Sequence, residues 1–404
     1  MLRFTFLDPE QASWAEDIHS IRKQLGAPHN PQLFPDYFLQ STFAKIGGKI
    51  ASICRSGRFL GAGFFFPRAY QDRACYTLRL HVLEPLEAID KTTLLADIAE
   101  ALDADIVVFD PNEEHAFEES HLCIDGIDIG RPNREEAVQA RELHRHIWQA
   151  DEDNLYPIDI HSPAFALGTS LVARKDGKVI AFLFGFIRFG EGESLQLWGE
   201  AYARKVSIES QILGVLPDYR KLGLGYSMKR AQGLDARAQG IDIVYWTVDP
   251  LQAANASLNF RKLGGVSLKF VANYYSFQNA LNQVAASRFE ISWLVNSERV
   301  CQRINENNIP QMFDPAHISH SHQIVSLDNI DQAQSPDIAI EIPSDWTQLQ
   351  ALSIESARKW REHSDPLFAQ LIGAESGKYV VTGISGNRLK SYLLARVFHP
   401  TSYH

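Results

Sequence analysis

The sequence has 404 residues and a mass of 45.5 kDa, which is enough for roughly two or three domains. Hydrophobic residues make up 45% of it and charged residues 22%, a composition that excludes a disordered chain, a collagen and a coiled coil. The formal net charge is −10, from 39 basic and 49 acidic residues, which disfavours nucleic-acid binding through phosphate neutralisation and favours a cationic partner such as an amine.

Two β-hairpins are predicted, one in the N-terminal region and one near the middle of the chain. Residues 50–66 and residues 171–187 each contain an apolar run, a polar turn and a second apolar run. A glycine lies at the centre of each turn, Gly57 in the first and Gly177 in the second. Glycine supplies the positive φ that a tight hairpin turn needs.

A helix and a buried strand follow each hairpin, in the same order. In the first copy these are residues 91–102 and the strand at Asp105–Pro111. In the second copy they are residues 225–239 and the similar segment Asp242–Pro250. The repeated order of hairpin, helix and strand indicates an internal duplication.

The segments outside the two copies have weaker patterns. A strand at 124–129 and a helix at 134–149 are predicted to open the second copy, and polar residues 301–338 are predicted to form a long loop or linker. A final αβ unit is predicted from a helix at 344–371 and strands at 378–383 and 390–398.

The cysteines and the apolar runs predict a soluble, cytoplasmic protein. The four cysteines are scattered without C-x-x-C spacing, which fits a reducing compartment. The N-terminus lacks the pattern of a signal peptide. The longest clearly apolar run, residues 179–187, is far shorter than the roughly 20 residues of a membrane helix. We therefore expect no membrane span.

The most informative motif lies between a predicted strand that ends at Pro217 and the helix of the second copy. Its residues, Arg220-Lys221-Leu222-Gly223-Leu224-Gly225, follow the pattern Arg/Gln-x-x-Gly-x-Gly/Ala. A loop without bulky Cβ atoms leads directly into a helix whose first amides have no intrahelical partner. The helix dipole also favours negative charge there. The motif therefore predicts a site for a pyrophosphate, with Arg220 and Lys221 as cationic support.

The segment from 208 to 300 resembles the GCN5-related N-acetyltransferase (GNAT) superfamily, within a bacterial branch of it. The resemblance rests on the loop Arg220–Gly225 and on a second motif that begins at Asn255 and continues through Phe260-Arg261-Lys262-Leu263-Gly264. A weaker resemblance to the same superfamily covers residues from about 124 to 385. It implies an α/β fold of tandem GNAT-like mixed β-sheet domains flanked by helices, with a C-terminal αβ extension.

This resemblance also implies domain boundaries. Residues 1–120 are expected to form a degenerate GNAT-like domain, because the helix start of the first copy has no Arg-x-x-Gly-x-Gly loop. Residues 121–300 are expected to form the acyl-CoA-binding GNAT domain. Residues 301–404 are expected to form a linker and the C-terminal αβ extension.

An acyltransferase that uses acyl-CoA as co-substrate, without a metal, is the activity that the resemblance implies. The expected donor contacts are Leu213 and Val215 along the pantetheine arm, Arg220 and Lys221 beside the pyrophosphate, the loop and first-turn residues Leu222, Gly223, Leu224, Gly225 and Tyr226, and Asn255 and Arg261 from the second motif. Asn255 is also a candidate catalytic residue, because it is expected to face the pantetheine or the thioester. The resemblance also implies that the acceptor amine attacks the thioester directly, without a covalent enzyme intermediate. Positioning supplies most of the catalysis, and proton removal supplies less.

Departures from the family pattern leave the acid and the base open. The usual general acid is a tyrosine, but this chain has Phe260, which is expected to pack in the core; Tyr274, Tyr275 and Asn259 are nearby alternatives. Glu209 on the predicted fourth strand and Glu200 are the alternative candidates for the base. Ser210, which follows Glu209 in the sequence, is a further candidate catalytic residue. A base of this kind needs a raised pKa.

Three readings of the function stay open. The first is transfer of an acetyl or longer acyl group from acyl-CoA to a primary amine of a small molecule or peptide. The second is acylation of a peptide Lys or ornithine side chain from an acyl carrier protein. The third is a non-catalytic CoA-binding sensor or assembly protein. The histidines at 317, 320 and 322 have ligand-like spacing but lie in the polar segment, so no metal is expected.

Overall fold

The structure is a computed structural model that describes residues 2–70, 72–190, 197–198, 206–220, 222–275, 284, 286–306, 308–387 and 389–399. The chain divides into two compact units. The first unit comprises Met1–Glu191 and Arg204–Ile241, and the second comprises Gly192–Ala203 and Asp242–His404.

The first unit begins with a five-stranded sheet in sequential order. Its strands are β1 (Leu2–Phe6), β2 (Lys49–Arg55), β3 (Arg58–Pro67), β4 (Cys75–Val82) and β5 (Asp105–Phe109). Neighbouring strands are antiparallel except β4 and β5, which are parallel. A parallel pair needs a crossover, and the helix α3 (Ala88–Leu102) provides it. The helices α1 (Trp14–Gln24) and α2 (Asp36–Phe38) lie between β1 and β2 in the chain.

A second run of antiparallel strands completes the first unit. Its strands, also in sequential order, are β6 (Leu122–Ile124), β7 (Ile127–Gly130), β8 (Thr169–Lys175), β9 (Lys178–Phe189) and β10 (Val206–Val215). Its helices are α4 (Arg134–Trp148) and α5 (Leu224–Ala238). The amide of Glu136 donates to the Asn133 side chain at 3.0 Å, and the Asn133 amide donates to Glu136 at 3.0 Å. This reciprocal capping box fixes the start of α4.

Both predicted hairpins are confirmed. Gly57 and Gly177 have φ of +83° and +73° and lie in the turns between β2 and β3 and between β8 and β9. The helix α5 is followed by a left-handed glycine, since Gly240 has φ +69° and its amide donates to the carbonyl of Arg237 at 2.9 Å. Left-handed glycine at this position is a frequent helix terminator.

An aromatic core joins the two halves of the first unit. Phe34 and Phe66 come from residues 1–120, and Phe165 and Phe186 come from residues 121–191. The ring centroids of Phe34 and Phe66 are 4.6 Å apart, and those of Phe66 and Phe165 are 4.9 Å apart. These buried rings form one cluster, and burial of such rings dominates core energetics.

The second unit has a seven-stranded sheet among its described residues. In sheet order its strands are β14 (Gln323–Val325), β15 (Asp337–Ile342), β17 (Ser391–Val397), β16 (Tyr379–Gly386), β12 (Val266–Tyr275), β13 (Ala286–Leu294) and β11 (Ile243–Val248). Its helices are α6 (Ala253–Ala256), α7 (Glu298–Ile304), α8 (Pro315–Ser321), α9 (Trp346–Leu352) and α10 (Ile354–Leu371). The indoles of Trp246 and Trp293 pack edge to face at 5.8 Å in its core.

The structure confirms the α/β class with mixed sheets and corrects several predicted elements. The predicted strand at 124–129 is a hairpin, because Asp125 and Gly126 have positive φ and turn the chain between β6 and β7. The predicted loop at 301–338 contains helices and a strand. Its apolar residues Ile318 and Val325 are buried. The polar mean composition of the segment therefore gave no indication that it packs against the rest of the protein. The predicted helix at 344–371 is two helices, since Ser353 is extended and caps the second.

The compact units also differ from the predicted domain boundaries. The shared aromatic core joins residues 1–120 to the following segment. The C-terminal strands continue the sheet of the second unit, because β16 pairs with β12 through Val381 and Ser267. Neither the boundary at 120 nor the boundary at 300 separates the units.

Candidate functional site

The predicted anion-binding turn follows β10 and opens α5. A short 3₁₀ helix, Pro217–Tyr219, leads into the turn, and Gly223 lies at the N-cap of α5 with φ +83° and ψ −4°. No side chain caps this helix. A Cβ added to Gly223 would meet nothing within 4 Å. The helix therefore begins with a left-handed glycine beside open space.

The first amides of α5 point out of the helix. The carbonyl of Gly223 accepts hydrogen bonds from the amides of Tyr226 and Ser227 at 2.9 and 3.1 Å. The amides of Leu224 and Gly225 come before the first residues that make these helical hydrogen bonds. They therefore have no acceptor within the helix. Leu222 is 65% exposed, whereas Leu224 is buried and anchors the turn to the core.

Cationic side chains lie around the turn. Arg220 is exposed, and its Nε donates to the carbonyl of Val215 at 3.3 Å. The Nζ of Lys175 lies 5.5 Å from the ring centre of Tyr219. Lys221, which the sequence predicts as a second cation of the loop, lies outside the described residues. The positive charge favours an anion at the helix start.

The hairpin turn between β6 and β7 secures the first turns of α5. The Asp125 carboxylate accepts hydrogen bonds from Ser227 Oγ at 2.8 Å and from Arg230 Nη1 at 2.6 Å. Arg230 also lies over the ring of Tyr226, 5.9 Å from its centre. Burial raises the pKa of the Tyr226 hydroxyl. Tyr226 is thus half-buried against its own helix.

Leu213 and Val215 lie on β10 as predicted. Both are half-buried, and they pair with Leu183 and Ala181 of β9. The register of this pairing shifts between Ser210 and Ile212, so Gln211 is an extra residue in β10. A bulge of this kind bends the strand and increases its local twist.

Glu209, the candidate base, is held in an ion-pair network. It is 4% exposed. One of its carboxylate oxygens lies 3.2 Å from Lys45 Nζ, and the other lies 3.1 Å from Arg188 Nη1. Both oxygens of this carboxylate are therefore engaged by cations. This geometry makes Glu209 part of the buried framework and does not leave it open to an incoming ammonium group.

Ser210 belongs to a buried cluster that the sequence reasoning missed. Lys229 Nζ donates to Ser210 Oγ at 2.9 Å and to Gln232 Oε1 at 2.9 Å. Ser210 Oγ lies 3.0 Å from the same amide oxygen. Burial lowers the pKa of Lys229 well below its ordinary value, against the opposing charge of Glu209. The three side chains form one polar contact between β10 and α5.

The apolar spacing of Leu224, Met228, Ala231, Leu234 and Ala238 predicts one buried face of α5, and the first three are buried. Leu234 is 41% exposed and Ala238 is also exposed. Lys229, Gln232 and Ala236, which the pattern did not include, are buried as well. They follow i, i+3 and i+7 spacing, which places them on one face of the helix. The spacing could have indicated this buried face from the sequence. Two of its three residues are a lysine and a glutamine, however, and these residue types are seldom buried.

The candidates of the second motif lie in the second unit. Asn255 is exposed on α6. Arg261 donates to Ser257 Oγ at 3.2 Å and to the carbonyl of Pro310 at 3.1 Å, and burial lowers its pKa. Its guanidinium therefore has acceptors within its own unit.

The alternatives for the general acid have different environments. Phe260 is 1% exposed, which confirms that it packs in the core. Asn259 is also buried, and its Oδ1 accepts from Trp246 Nε1 at 3.2 Å. Tyr274 is half-buried on β12, next to Asn273 with φ +51°. The side chain of Tyr275 and all of Glu200 lie outside the described residues.

A separate polar cavity of about 280 Å³ lies at the other end of α5. Asp235 and Gln239 line it, together with His161 and Ser170, whose Nδ1 and Oγ are 2.8 Å apart. Burial raises the pKa of Asp235 and lowers that of His161 to about 4. This cavity is not part of the anion-binding turn, which lies at the first turn of the helix.

Metal and membrane features are absent from the part of the chain that the structure describes. Within those residues no group of three or more His, Cys, Asp or Glu side chains is placed to hold a metal ion. His317 and His320 lie on α8, with ring centres 6.1 Å apart. No helix in the described ranges combines the length and the apolar character needed to cross a membrane.

Solved acetyltransferase structures match part of the chain. Arabidopsis thaliana NAA60 in complex with a bisubstrate analogue is 16% identical, with a TM-score of 0.33, over 42% of this chain and 99% of that one. An acetyltransferase of the GNAT family from Streptococcus pneumoniae is 15% identical, with a TM-score of 0.31, over 41% and 97%. Diaminobutyrate acetyltransferase EctA from Paenibacillus lautus is 14% identical, with a TM-score of 0.30, over 42% and 95%.

Sequence-level comparisons find nothing. No protein-family model matches the chain. No curated protein matches it either. At the TM-scores above, the structural similarity supports no assignment of family or activity, so any assignment rests on the residues of the site.

Proposed function

We propose that this protein is a GNAT-type N-acyltransferase that moves an acyl group from acyl-CoA to a primary amine of a small molecule or peptide. The observation that carries the proposal is the start of α5. A left-handed glycine, Gly223, opens the helix directly after β10, with no side-chain cap and open space beside it. This is the geometry of a helix N-terminus that receives a phosphate.

The turn suits the pyrophosphate of CoA for two physical reasons. The amides of Leu224 and Gly225 provide hydrogen-bond donors without intrahelical partners, and the helix dipole adds about half a positive charge at this end. Arg220 is exposed beside them, and Lys221 is next to it in the sequence. An anion with several oxygens can use the amides and the cations together.

The pantetheine arm is proposed to run along β10. Leu213 and Val215 are the half-buried residues of this strand nearest the turn. They offer apolar contact to the arm, while the phosphate end stays at the start of α5. The strand bends at the bulge at Gln211, which lies farther from the turn than Leu213 and Val215 do.

The reaction exchanges one acyl bond for another. The nitrogen of the neutral amine attacks the thioester carbon, an N–C bond forms, and the C–S bond breaks. The acceptor loses a proton, and the CoA thiolate gains one. Holding the two reactants in line supplies most of the acceleration. The net charge of −10 favours the approach of a cationic acceptor.

The first experiment tests donor binding at the turn. In Gly223→Val a β-branched residue must adopt positive φ, which strains the turn and disorients its amides. We expect CoA affinity, measured by titration calorimetry, to fall about tenfold or more. The matched control is Gly177→Val, because Gly177 also has positive φ and open space around its Cβ position, but lies in the β8–β9 turn.

Equal CoA affinity in Gly223→Val and the wild type would contradict the proposed donor site. Turnover is tested separately by thiol release from acetyl-CoA and longer acyl-CoA donors with a panel of primary amines. CoA binding without turnover would support a sensor instead. Turnover only with an acylated carrier protein would show that the donor is an acyl carrier protein and not acyl-CoA.

A further inference from the structure

We propose that the polar cavity at the C-terminal end of α5 binds a small carboxylate, with the Arg68 guanidinium holding its two oxygens. The inference goes beyond the proposed function, because the cavity is separate from the anion-binding turn. The cavity has a volume of about 280 Å³, and its lining includes Arg68, Arg131 and Asp235. Pockets for drug-sized ligands have volumes of about 300–1,000 Å³, so this cavity suits a smaller molecule.

The side chain of Arg68, which directly follows β3, is held in place by neutral oxygen atoms. Its Nη1 donates to Thr77 Oγ1 at 3.1 Å and to the carbonyl oxygen of Ala164 at 3.0 Å. The Thr77 hydroxyl in turn donates to the carbonyl oxygen of Phe165 at 2.9 Å. Both N–H groups of Nη1 are therefore used, and they fix the guanidinium against β4 and the segment that precedes β8.

The other edge of the Arg68 guanidinium is available to a ligand. Among the described residues, its Nε and Nη2 have no hydrogen-bond acceptor, and no carboxylate lies within ion-pair distance of the side chain. Nε and Nη2 are adjacent nitrogens, and their N–H groups form the fork that matches the two oxygens of a carboxylate. Arg68 is half-buried, and a charge with less access to water gains more from a bound counter-ion.

The charges around the cavity leave Arg68 as the cation without a counter-ion in the part of the chain that the structure describes. Arg131, the second arginine of the lining, lies 3.7 Å from Asp235 and 3.9 Å from the exposed Glu118. His161 is uncharged at neutral pH, because burial lowers its pKa to about 4. A ligand with one negative charge therefore completes the charge balance at Arg68.

Neutral polar groups of the lining can bond the rest of the ligand. The Nδ1 of His161 pairs with Ser170 Oγ at 2.8 Å, and the Nε2 of the same ring has no partner among the residues described. Gln239 Nε2 donates to the carbonyl of Gly168 at 2.7 Å and to Asp235 at 3.1 Å, which leaves its Oε1 as an acceptor. Groups of these types bond hydroxyls, so the ligand class is a small hydroxy-carboxylate.

The first test compares two probes that differ only in the charged group. Glycerate has a carboxylate where glycerol has a hydroxymethyl group. We expect saturable binding of glycerate to the whole chain, measured by saturation-transfer NMR, and no binding of glycerol. A wild-type protein that does not bind glycerate would overturn the proposal. Stronger binding of inorganic phosphate than of glycerate would also overturn it, because the preferred group would then be a phosphate.

Arg68→Gln should weaken glycerate binding about tenfold or more, because charge-assisted hydrogen bonds are lost. Arg68→Lys, which keeps the charge but not the fork, should have an intermediate affinity. The matched control is Arg55→Gln. Arg55 belongs to the same sheet, but it already has carboxylates beside it, Asp90 at 2.8 Å and Glu84 at 3.9 Å. Its variant should bind glycerate as the wild type does. Wild-type affinity in Arg68→Gln would contradict the proposal.

Asp235→Asn keeps the proposal testable if the Arg68 variants fold poorly. Asp235 is the one carboxylate among the described residues of the lining, and a carboxylate repels a bound anion. Its removal should therefore strengthen glycerate binding about tenfold. Burial raises the pKa of Asp235, so the affinities are compared at pH 8, where its carboxyl group is ionised. Damage to the fold would lower the affinity, so an unchanged or lower affinity in a folded Asp235→Asn protein would overturn the proposal.

Two variants separate this cavity from the proposed donor site. Gly223→Val should lower CoA affinity and leave glycerate affinity unchanged, whereas Arg68→Gln should do the reverse. Loss of glycerate binding in Gly223→Val would assign the carboxylate to the anion-binding turn and overturn the cavity site. A wild-type protein that binds glycerate but neither binds CoA nor transfers an acyl group would overturn the proposed function and support the carboxylate site.

Discussion

The carboxylate of Glu209 shows how two neighbouring residues of one strand have different roles. Successive side chains of a β-strand point to opposite faces. Glu209 meets Lys45 and Arg188, whereas Ser210 meets Lys229 of α5. The residue with the more acidic side chain is therefore tied into the framework, and the residue with the hydroxyl adjoins a buried amine.

Glu209→Gln should destabilise the protein more than it alters its chemistry. The substitution removes the charge that pairs with two partly exposed cations, at 19% and 18%, so the cost should lie at or below the roughly 3–5 kcal/mol of a fully buried pair. Urea unfolding followed by circular dichroism measures this loss. In Lys45→Met/Glu209→Gln the loss should be smaller than the sum of the single losses. A Glu209→Gln protein of wild-type stability without turnover would restore Glu209 as the base.

The start of α5 is supported by another element, the β6–β7 hairpin. Asp125 accepts hydrogen bonds from Ser227 and Arg230 in the first two turns of the helix. Asp125 has φ +54° and precedes Gly126. The residue that makes the hairpin turn thus also holds the helix that carries the anion-binding turn.

Asp125→Ala should cost about 1 kcal/mol more than Asp176→Ala, because only the first removes hydrogen bonds to α5. The two aspartates are well matched. Each has positive φ, +54° and +51°, and each precedes a glycine in a hairpin turn. The free energy of unfolding in urea gives the difference. Equal losses would show that Asp125 contributes only to its own turn. CoA affinity in Asp125→Ala should also fall, since the helix start loses its support.

Local turn chemistry made the hairpins and α5 predictable from the sequence. Gly57 and Gly177 adopt the positive φ expected of hairpin turns, and Gly223 in the predicted loop also has positive φ. The segment at 301–338 was not predictable in this way, because its buried residues are few and widely spaced. Lys229 was hidden for a different reason. Its hydrogen-bond partner Ser210 is 19 residues away in the chain, and no local pattern encodes that contact.

Buried histidines link the stability of the first unit to pH. Burial lowers the pKa of His81 to about 3, with a further contribution from Arg79. Burial likewise lowers the pKa of His144 and His161 to about 4. In the unfolded chain a histidine has a pKa of about 6.5. Between these values the unfolded chain binds more protons, so stability rises with pH.

We expect the stability of this unit to be complete above about pH 6.5 and to fall as the pH drops toward 4. Each of these histidines contributes a slope of about 1.4 kcal/mol per pH unit in that window. His144→Gln should reduce the slope in urea unfolding measured from pH 7 to pH 4.5. His146→Gln, an exposed position on the same helix, should leave it unchanged. Equal slopes in both variants would contradict the burial argument.

The uneven placement of the tryptophans has a practical consequence. Only Trp14 and Trp148 belong to the first unit, and the other five of the seven indoles, including the Trp246–Trp293 pair, belong to the second. Intrinsic fluorescence is therefore dominated by the unit that does not contain the three low-pKa imidazoles. A mismatch between emission and far-ultraviolet ellipticity during acidification would then distinguish stepwise from concerted melting, with no dye or label attached.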